Sequence, residues 1–270
     1  MLNLLLNPRS SWLAVAFIVT TALGCRAQSI GMAPGLVRYE FTPGSPFQFE
    51  LSVSNYGNVP VDLHVQITDL WYDDKNEKVF STPGTSPRSA ANWIQFVPEA
   101  FHLGANSTQK MKAIVTPPAN AEGGYYATLF VESQAVMTNK VTGEGKAVYA
   151  NMRIGCLVVL AAKGTEKYNV TIDNLRIQPP SATRDLEATF WVDNQSNTHV
   201  FAVPRLAVLD ERGKLVAKAQ GEEKRFLPGQ KDTMAIKWSG SLAPGAYSGV
   251  LTVVYGETNV DTKEVHFQVP

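Results

Sequence analysis

Cysteine is scarce in this chain: Cys25 and Cys156 are the only two among 270 residues. Cys25 lies in the N-terminal segment, where it is either removed with a leader peptide or acylated, so no internal pair remains for a disulfide. Cys156 stands in the apolar run 154–162, and a free cysteine in such a run is commonly a small buried hydrophobic residue. The sequence therefore predicts a fold that does not depend on disulfides, with a buried Cys156 thiol.

An excess of one charge sign is also lacking, since 24 lysines and arginines balance 24 aspartates and glutamates. Residues 1–27 contain two arginines and no acidic residue, so the rest of the chain is slightly acidic. Nucleic acid and anionic lipid surfaces attract basic proteins, so neither is expected as the main partner. A membrane becomes a partner only if Cys25 carries a lipid.

Groups suited to catalysis or metal binding are sparse. The four histidines are scattered among predicted strands, without cysteine or carboxylate at the spacing of a metal site: His64, His102, His199 and His266. Asp69, together with Asp73 and Asp74, could suggest the carboxylate pair of a glycosidase. A polar hairpin turn at 73–76 explains these residues better. We therefore expect no metal, no cofactor and no enzymatic activity.

The longest hydrophobic run lies near the N-terminus. Residues 12–19 are apolar, follow Arg9 and precede several small residues. This order predicts a secretory signal peptide over residues 1–27, too short for a stable membrane span. Cleavage after Ala27 would place the mature start at Gln28, whereas the segment 22–25 resembles a bacterial lipoprotein box in which Cys25 carries the lipid. The predicted location is the periplasm or the exterior, with a lipoprotein as the alternative.

Long helical periodicity is absent, and short apolar–polar alternations stand between Gly, Pro and Asn turns, as in residues 93–132. This pattern is typical of antiparallel strands. It predicts strands near residues 36–41, 47–54, 61–71, 79–80, 93–97, 109–115, 125–132, 147–160, 168–177, 186–192, 205–210, 214–219, 232–238, 247–255 and 263–269. The predicted fold class is all-β, with two immunoglobulin-like β-sandwich domains. Large aromatic residues dominate burial in such cores, which predicts core or near-core positions for Trp71, Trp93, Trp191 and Trp238.

A weak internal repeat supports two domains. A strand followed by Asn55-Tyr56-Gly57-Asn58 in the first half corresponds to a strand followed by Asn194-Gln195-Ser196-Asn197 in the second half. Later in each half a strand opens with glycine, at Gly124-Tyr125-Tyr126 and at Gly245-Ala246-Tyr247. About 240 residues remain after the leader, which is enough for two sandwiches of ordinary size. We place the domains at residues 28–163 and 164–270.

Several of these segments together resemble the periplasmic pilus-assembly chaperone superfamily and its divergent bacterial relatives. The matching segments are residues 29–34, the turn 55–58, and residues 93–98, 101–103 and 124–127. The resemblance covers most of the first half, and the second half matches only as a further immunoglobulin-like domain. It implies two such domains arranged as a boomerang, and an exposed strand of the first domain that completes the fold of a pilin subunit.

The candidate strand for such an addition is 147–160. Val148, Ala150, Met152 and Ile154 share one apolar face, and Arg153 points the other way. An unpaired strand edge would offer main-chain donors and acceptors to a partner strand. The same apolar face could instead pack into the core of its own domain, and the sequence leaves both alternatives open.

The resemblance also implies a carboxylate anchor, made of an arginine in the first strand and a lysine late in the candidate strand. The matching positions here hold Leu36 and Gly155, so Arg38 and Arg153 are the nearby basic residues that could substitute. A register shift by an odd number would turn them to the opposite face. The predicted partner-binding set is Arg38, Val148, Ala150, Met152, Arg153 and Ile154.

Two functional hypotheses follow. The leading one is an exported chaperone-like binding protein that assembles surface-fibre (pilus) subunits by β-strand addition. The alternative is a structural cell-envelope or adhesin-associated protein that binds an envelope protein or a glycan. The chaperone hypothesis requires an accessible candidate strand and a basic residue in the interdomain cleft. The structural hypothesis requires the same strand to be paired on both sides.

Overall fold

The computed structural model describes residues 29–134, 136–141, 147–256 and 258–270. The predicted signal peptide, with Cys25, lies outside the described residues. The described chain folds into strands, apart from a short 3₁₀ turn at Ala91–Trp93. Within these ranges, no helix has the length and hydrophobicity that crossing a bilayer requires.

The first sandwich contains two packed sheets and a separate two-stranded ribbon. Its strands are β1 (Ile30–Ala33), β2 (Leu36–Phe41), β3 (Phe47–Asn55), β4 (Val61–Tyr72), β5 (Lys78–Ser81), β6 (Ile94–Val97), β7 (Ala100–Leu103), β8 (Ser107–Val115), β9 (Gly123–Ser133), β10 (Val136–Val141), β11 (Ala147–Ala150) and β12 (Arg153–Ala162). One sheet has the order β1-β3-β8-β6. The other has the order β2-β12-β9-β4-β5, with β7 also paired to β4, and β10 pairs with β11.

The second sandwich is smaller and also has two sheets. Its strands are β13 (Val170–Gln178), β14 (Leu186–Asn194), β15 (Val200–Asp210), β16 (Leu215–Gln220), β17 (Lys224–Phe226), β18 (Lys231–Trp238), β19 (Gly245–Tyr255) and β20 (Asn259–Val269). The sheet orders are β13-β14-β18 and β16-β15-β19-β20, with β17 paired to β15. The predicted all-β fold with two sandwiches is confirmed.

Alternating burial explains why these segments form strands. In β8, Met111, Ala113 and Val115 are buried while Lys110 and Lys112 are exposed, so one face packs on the core and the other meets water. β9 departs from this pattern because almost all of its residues are buried. Its inner face packs on the core of the first sandwich. On its outer face, Gly124 and Tyr126 lie against the second sandwich, whereas Phe130 is covered by Phe80 and Arg153 of the first.

The repeated asparagine turns have the same hydrogen-bonding pattern in both sandwiches. Asn55 is buried at the end of β3, where its Oδ1 accepts from Gly57 N–H and its Nδ2 donates to the carbonyls of Val59, Leu103 and Gly104. Asn194 is buried at the end of β14, where its Oδ1 accepts from Ser196 N–H and its Nδ2 donates to the carbonyls of Thr198 and Phe226. The repeat in the sequence therefore reports a repeated structural role.

A third apolar cluster joins the two sandwiches. Leu70, Tyr126 and Val159 of the first sandwich are buried together with Leu227 of the second. Hydrogen bonds surround this cluster: Asn197 carbonyl accepts from Gly124 N–H, and Gln230 Nε2 donates to Asn76 Oδ1 across the interface. We call this set of apolar side chains the shared cluster.

Glycine at position 124 leaves room for the Tyr126 hydroxyl, which lies at the junction of the two sandwiches. A Cβ atom there would lie 2.1 Å from Tyr126 Oη and 3.0 Å from Thr198 Oγ1. The Gly-x-Tyr pattern that opens β9 therefore provides space for the second sandwich as well as a strand start.

Most local predictions are confirmed. Asp73 Oδ1 accepts from the backbone N–H groups of Lys75 and Glu77, as expected of a polar hairpin. Asp69 is buried and accepts hydrogen bonds from the loop 84–89, so its carboxylate organises that loop instead of pairing with Asp73. Cys156 is fully buried, and burial raises the pKa of its thiol to about 11.

Two predictions need correction. The candidate strand 147–160 is divided into β11 and β12, because Asn151 and Met152 lie between the two strands. Trp71 and Trp191 are 44% and 38% exposed, so neither is a core residue. The buried side chains next to them are smaller: Leu70 beside Trp71, and Phe190 and Val192 beside Trp191. The size of an aromatic side chain therefore did not identify the buried face of these strands.

Candidate functional site

The pairing of β12 changes at Leu157. From Leu157 to Ala162 the strand pairs antiparallel with β9 on one edge and parallel with β2 on the other. From Arg153 to Cys156 it pairs with β9 alone among the described strands. Among the described strands, the preceding strand β11 pairs only with β10. We call the unpaired side of residues 147–156 the free edge.

Main-chain groups of β12 are directed toward this free edge. The Met152 carbonyl accepts a hydrogen bond from the last residue of β9, whereas Leu157 N–H donates to the Gly35 carbonyl on the opposite side. Alternate residues of a strand direct their main-chain groups to opposite edges. Arg153 and Gly155 therefore direct their N–H and C=O groups away from β9, where a further strand could pair with them.

The apolar face of β12 enters the core gradually. Met152 and Ile154 are partly buried against the core of the first sandwich, whereas Cys156 and Val158 are fully buried. The two alternatives for this face were contact with a partner strand and packing into the core of its own domain. The first remains open for Met152 and Ile154, whereas the second applies to Cys156 and Val158. Val148 and Ala150 belong to β11, and their side chains lie outside the described part of the chain.

Arg153 is held on the outer face of the same sheet. Its guanidinium forms an ion pair with Glu132, donates to Gln66 Oε1 at 3.3 Å and lies 3.6 Å from the centre of the Phe130 ring. Phe130 lies across Gly155, where a Cβ atom would be 2.8 Å from the ring. These contacts hold the start of β12 extended beside its free edge.

Arg38 lies in the cleft between the sandwiches. Its guanidinium forms an ion pair with Glu223 and lies 3.4 Å from the centre of the Phe201 ring, both in the second sandwich. The cleft has a volume of about 460 Å³. Its charged lining residues are Arg38, Lys78, Lys224, Arg225, Glu223 and Asp232. Four cations against two carboxylates make this cleft favourable for an anion.

Two contacts modify the charge in this cleft. Burial alone would raise the pKa of Asp232, but the hydrogen bond from Lys224 Nζ lowers it below its ordinary value. Arg225 Nε is buried without a hydrogen-bond partner among the described residues. The Lys224–Asp232 pair is therefore internally neutralised, and Arg225 retains capacity to donate.

The structure places Arg38 and Arg153 on one face of the sheet but does not bring them together. Arg38 is opposite Val159 in the parallel register, and Val159 is six residues from Arg153 along β12. Six strand residues span about 20 Å. Each guanidinium also has its own carboxylate partner, Glu223 or Glu132. The two arginines therefore lie about 20 Å apart along the sheet and do not form one anion-binding pair.

Sequence reasoning missed the contribution of the second sandwich to the cleft. Phe201, Glu223 and Arg225 are far from Arg38 in sequence, and the Arg38–Glu223 pair joins residues 185 positions apart. The charged run 222–225 after Gly221 was the available signal. A ring pair beside the cleft was also missed: the half-buried His199 packs edge-on against the buried Tyr126, with ring centres 5.8 Å apart.

No protein-family model matches the chain. No curated protein matches it either. Solved structures of similar fold include the class 5 fimbriae chaperone CfaA, with a TM-score of 0.46, 10% identity, and coverage of 90% of this chain and 100% of that chain. For the Salmonella enterica SafA pilin in complex with the SafB chaperone, the TM-score is 0.42, the identity 14%, and the coverage 89% and 96%.

A third similar structure is the CsuC–CsuE chaperone–tip adhesion subunit pre-assembly complex from archaic chaperone-usher Csu pili of Acinetobacter baumannii. The TM-score is 0.43 at 12% identity, with coverage of 88% of this chain and 97% of that chain. Each of these structures contains a fimbrial or pilus chaperone to which this chain is similar in fold.

Proposed function

We propose that this chain is an exported chaperone-like protein that binds a strand of a surface-fibre (pilus) subunit along the free edge of β11 and β12. The observation that carries the proposal is the half-paired β12, which has β2 on its second edge only from Leu157 onward. A partner strand would continue the position of β2 along the sheet. Arg153 and Gly155 would form its main-chain hydrogen bonds.

The side chains beside the free edge give the partner strand two different surroundings. On the core side, Met152 and Ile154 are partly buried and keep apolar surface available for contact. On the outer side, Arg153 is already paired with Glu132, so no unpaired charge opposes an incoming strand. The expected partner segment is therefore a β-strand with apolar residues at alternate positions.

Arg38 supplies the basic residue that the chaperone hypothesis requires in the cleft. Its partner Glu223 is about as exposed as Arg38 itself, so the pair can exchange with an incoming carboxylate at little cost. Under this proposal, Arg38 and Arg225 bind an anionic group of the partner. Arg153 lies farther along the same face, where its contacts with Glu132 and Phe130 hold the start of β12 extended. The chain binds its partner and catalyses no reaction.

The structural alternative predicts a strand paired on both sides. That pairing exists for residues 157–162 and is not found for 153–156 among the described strands. The half-paired strand favours the chaperone-like proposal for this reason.

The proposal is tested by capture of partners from the native cell envelope with the purified mature protein, followed by mass spectrometry. We expect small β-rich fibre subunits, and we expect Ile154→Asp to lose them. Val97→Asp is the matched control, because Val97 is an exposed apolar residue on an edge strand of the other sheet. Thermal unfolding of both variants checks that they fold.

Hydrogen exchange distinguishes strand addition from other contacts. With the captured subunit bound, the amides of Arg153 and Gly155 should exchange at least about tenfold more slowly, because each becomes part of a sheet. Equal capture by the Ile154→Asp and Val97→Asp proteins, with unchanged exchange at these two amides, would overturn the proposal. Retention of a glycan alone would favour the structural alternative.

A further inference from the structure

The ion pair of Arg38 joins the two sandwiches across the cleft. It links Arg38 Nη2 of the first sandwich to Glu223 Oε1 of the second. The guanidinium also lies 3.4 Å from the centre of the Phe201 ring, which belongs to the second sandwich as well. The second sandwich therefore supplies both the carboxylate and the aromatic face that hold Arg38.

This ion pair lies where two cavities meet. The first cavity is the cleft described above, with a volume of about 460 Å³. The second has a volume of about 430 Å³. Arg38, Phe201 and Glu223 line both of them. A change in the Arg38–Glu223 contact therefore alters the wall that the two cavities share.

The two cavities carry opposite charge. The cleft has four cationic side chains against two carboxylates. In the second cavity, Arg38 is the only lysine or arginine among the described lining residues, and the carboxylates are those of Glu40, Glu166 and Glu223. His199 also lines it, and burial lowers the pKa of this ring to about 4, so it is neutral at pH 7. An anion of a partner should therefore reach Arg38 through the cleft and not through the second cavity.

Glu223 is the carboxylate in the cleft that is free to leave its partner. The other one, Asp232, accepts a hydrogen bond from Lys224 Nζ within the second sandwich. Glu223 lies in the segment 221–223, which precedes β17 and belongs to no strand. The side chains of Arg38 and Glu223 are 46% and 41% exposed, so their separation costs little.

We propose that Glu223 is an internal competitor for the partner: it holds Arg38 in the unbound protein and is displaced when a carboxylate of the bound subunit takes its place. The inference rests on the proposed function, because it specifies the anionic group of the subunit as a carboxylate. The Glu223 contact uses one guanidinium nitrogen, Nη2. A carboxylate positioned by a partner strand can bind two nitrogens of the same guanidinium, which makes the exchange favourable.

The competitor makes the cleft selective. A small carboxylate must displace Glu223 and gains only the contact with Arg38 in return. A subunit that also pairs with the free edge presents its carboxylate at a high effective concentration, so it can displace Glu223 where a free carboxylate cannot. Glu223 therefore favours partners that offer a strand and a carboxylate together.

The test uses probes that are too small to form a strand along the free edge. N-acetylvaline presents a main-chain carboxylate, the α-amide of N-acetylglutamic acid presents a side-chain carboxylate, and N-acetylvalinamide has no charge. The dissociation constant of each probe is measured on the full exported chain by NMR titration of the arginine side-chain N–H signals.

We expect Glu223→Gln to bind the carboxylate probes about three- to tenfold more tightly than the parent. The gain has two sources, loss of an exposed ion pair and loss of repulsion between two carboxylates. Binding of the uncharged probe should not change. Arg38→Gln, added to the Glu223→Gln protein, should abolish the gain. The carboxylate probe that binds more tightly identifies the source of the partner's carboxylate.

Glu222→Gln is the matched control, because Glu222 is the exposed neighbour of Glu223 and lines neither cavity. It removes the same charge from the same segment and should leave each dissociation constant within about twofold of the parent. In the parent, the carboxyl-carbon signal of Glu223 should shift as a carboxylate probe binds, which reports its displacement.

Equal affinities of the parent and Glu223→Gln proteins, an equal gain in Glu222→Gln, or absence of binding by Glu223→Gln would overturn the proposal. Such a failure is distinguishable from failure of the proposed function. If the parent still captures fibre subunits and Ile154→Asp still loses them, strand addition stands and only the role of Glu223 is refuted.

Discussion

Acidification should weaken the fold through His199, which lies at the junction of the two sandwiches. Its ring packs edge-on against Tyr126 and Phe201, with ring centres 5.8 and 5.3 Å away. Burial, together with the positive charges of Arg225 and Arg38, lowers the pKa of His199 from 6.5 to about 4. A proton on this imidazole would add a third cation to a partly buried site that already has two.

The size of the effect follows from proton linkage. Between pH 6.5 and pH 4 the unfolded chain binds a proton at His199 that the folded chain does not bind, so the free energy of unfolding falls as the pH falls. Each pH unit in this window contributes about 1.4 kcal/mol. From pH 7.5 to pH 5.0 the loss is at most about 2 kcal/mol, since the ring keeps some contact with solvent.

Urea unfolding at pH 7.5 and pH 5.0 measures this loss. A His199→Gln variant removes the titrating group, so the drop in unfolding free energy between the two pH values should be smaller in the variant by about 1–2 kcal/mol. His102→Gln is the control, because the exposed His102 has a carboxylate neighbour in Asp62 and lies far from the junction. A His199→Gln protein with the same pH dependence as the parent would refute the reasoning.

Three further predictions concern stability and reactivity. Asn55→Ala and Asn194→Ala should each lower the free energy of unfolding by about 2–4 kcal/mol in urea titrations, because each leaves several backbone groups at a buried turn without a partner. An unchanged urea midpoint would contradict this role. Gly124→Ala should cost about 1–3 kcal/mol of unfolding free energy through overpacking and so lower the thermal midpoint by several degrees. Gly35→Ala is the control and should have little effect, because no atom lies within 4 Å of its added Cβ. The Cys156 thiol should react with a thiol reagent only in denaturant, since it is buried with a raised pKa, and rapid labelling of the native protein would contradict this.

The sequence allowed the strands to be predicted because their signals are local. Alternation in 107–115 depends only on which side chains face the core, and the repeated asparagine turns each occupy a few consecutive residues. Asn55 and Asn194 were identified as equivalent from sequence alone, although their buried hydrogen bonds to distant carbonyls became visible only in the structure.

The candidate site could be predicted only in part, because its properties depend on strand neighbours. Ile154 and Val158 have the same place in the period-two pattern, yet β2 pairs beside only the second of them. No property of residues 147–160 indicates where β2 begins to pair. The same limit applies to Arg38, whose carboxylate partner Glu223 comes from the other half of the chain.

The shared cluster has a consequence for attempts to divide this protein. Cutting the chain between Ala162 and Val170 would uncover Leu70, Tyr126 and Val159 on one fragment and Leu227 on the other. Newly exposed apolar surface of this kind promotes aggregation. The first sandwich produced alone should therefore be poorly soluble, and a useful fragment would need polar substitutions on that face. For the same reason, the intact protein should unfold in a single cooperative transition.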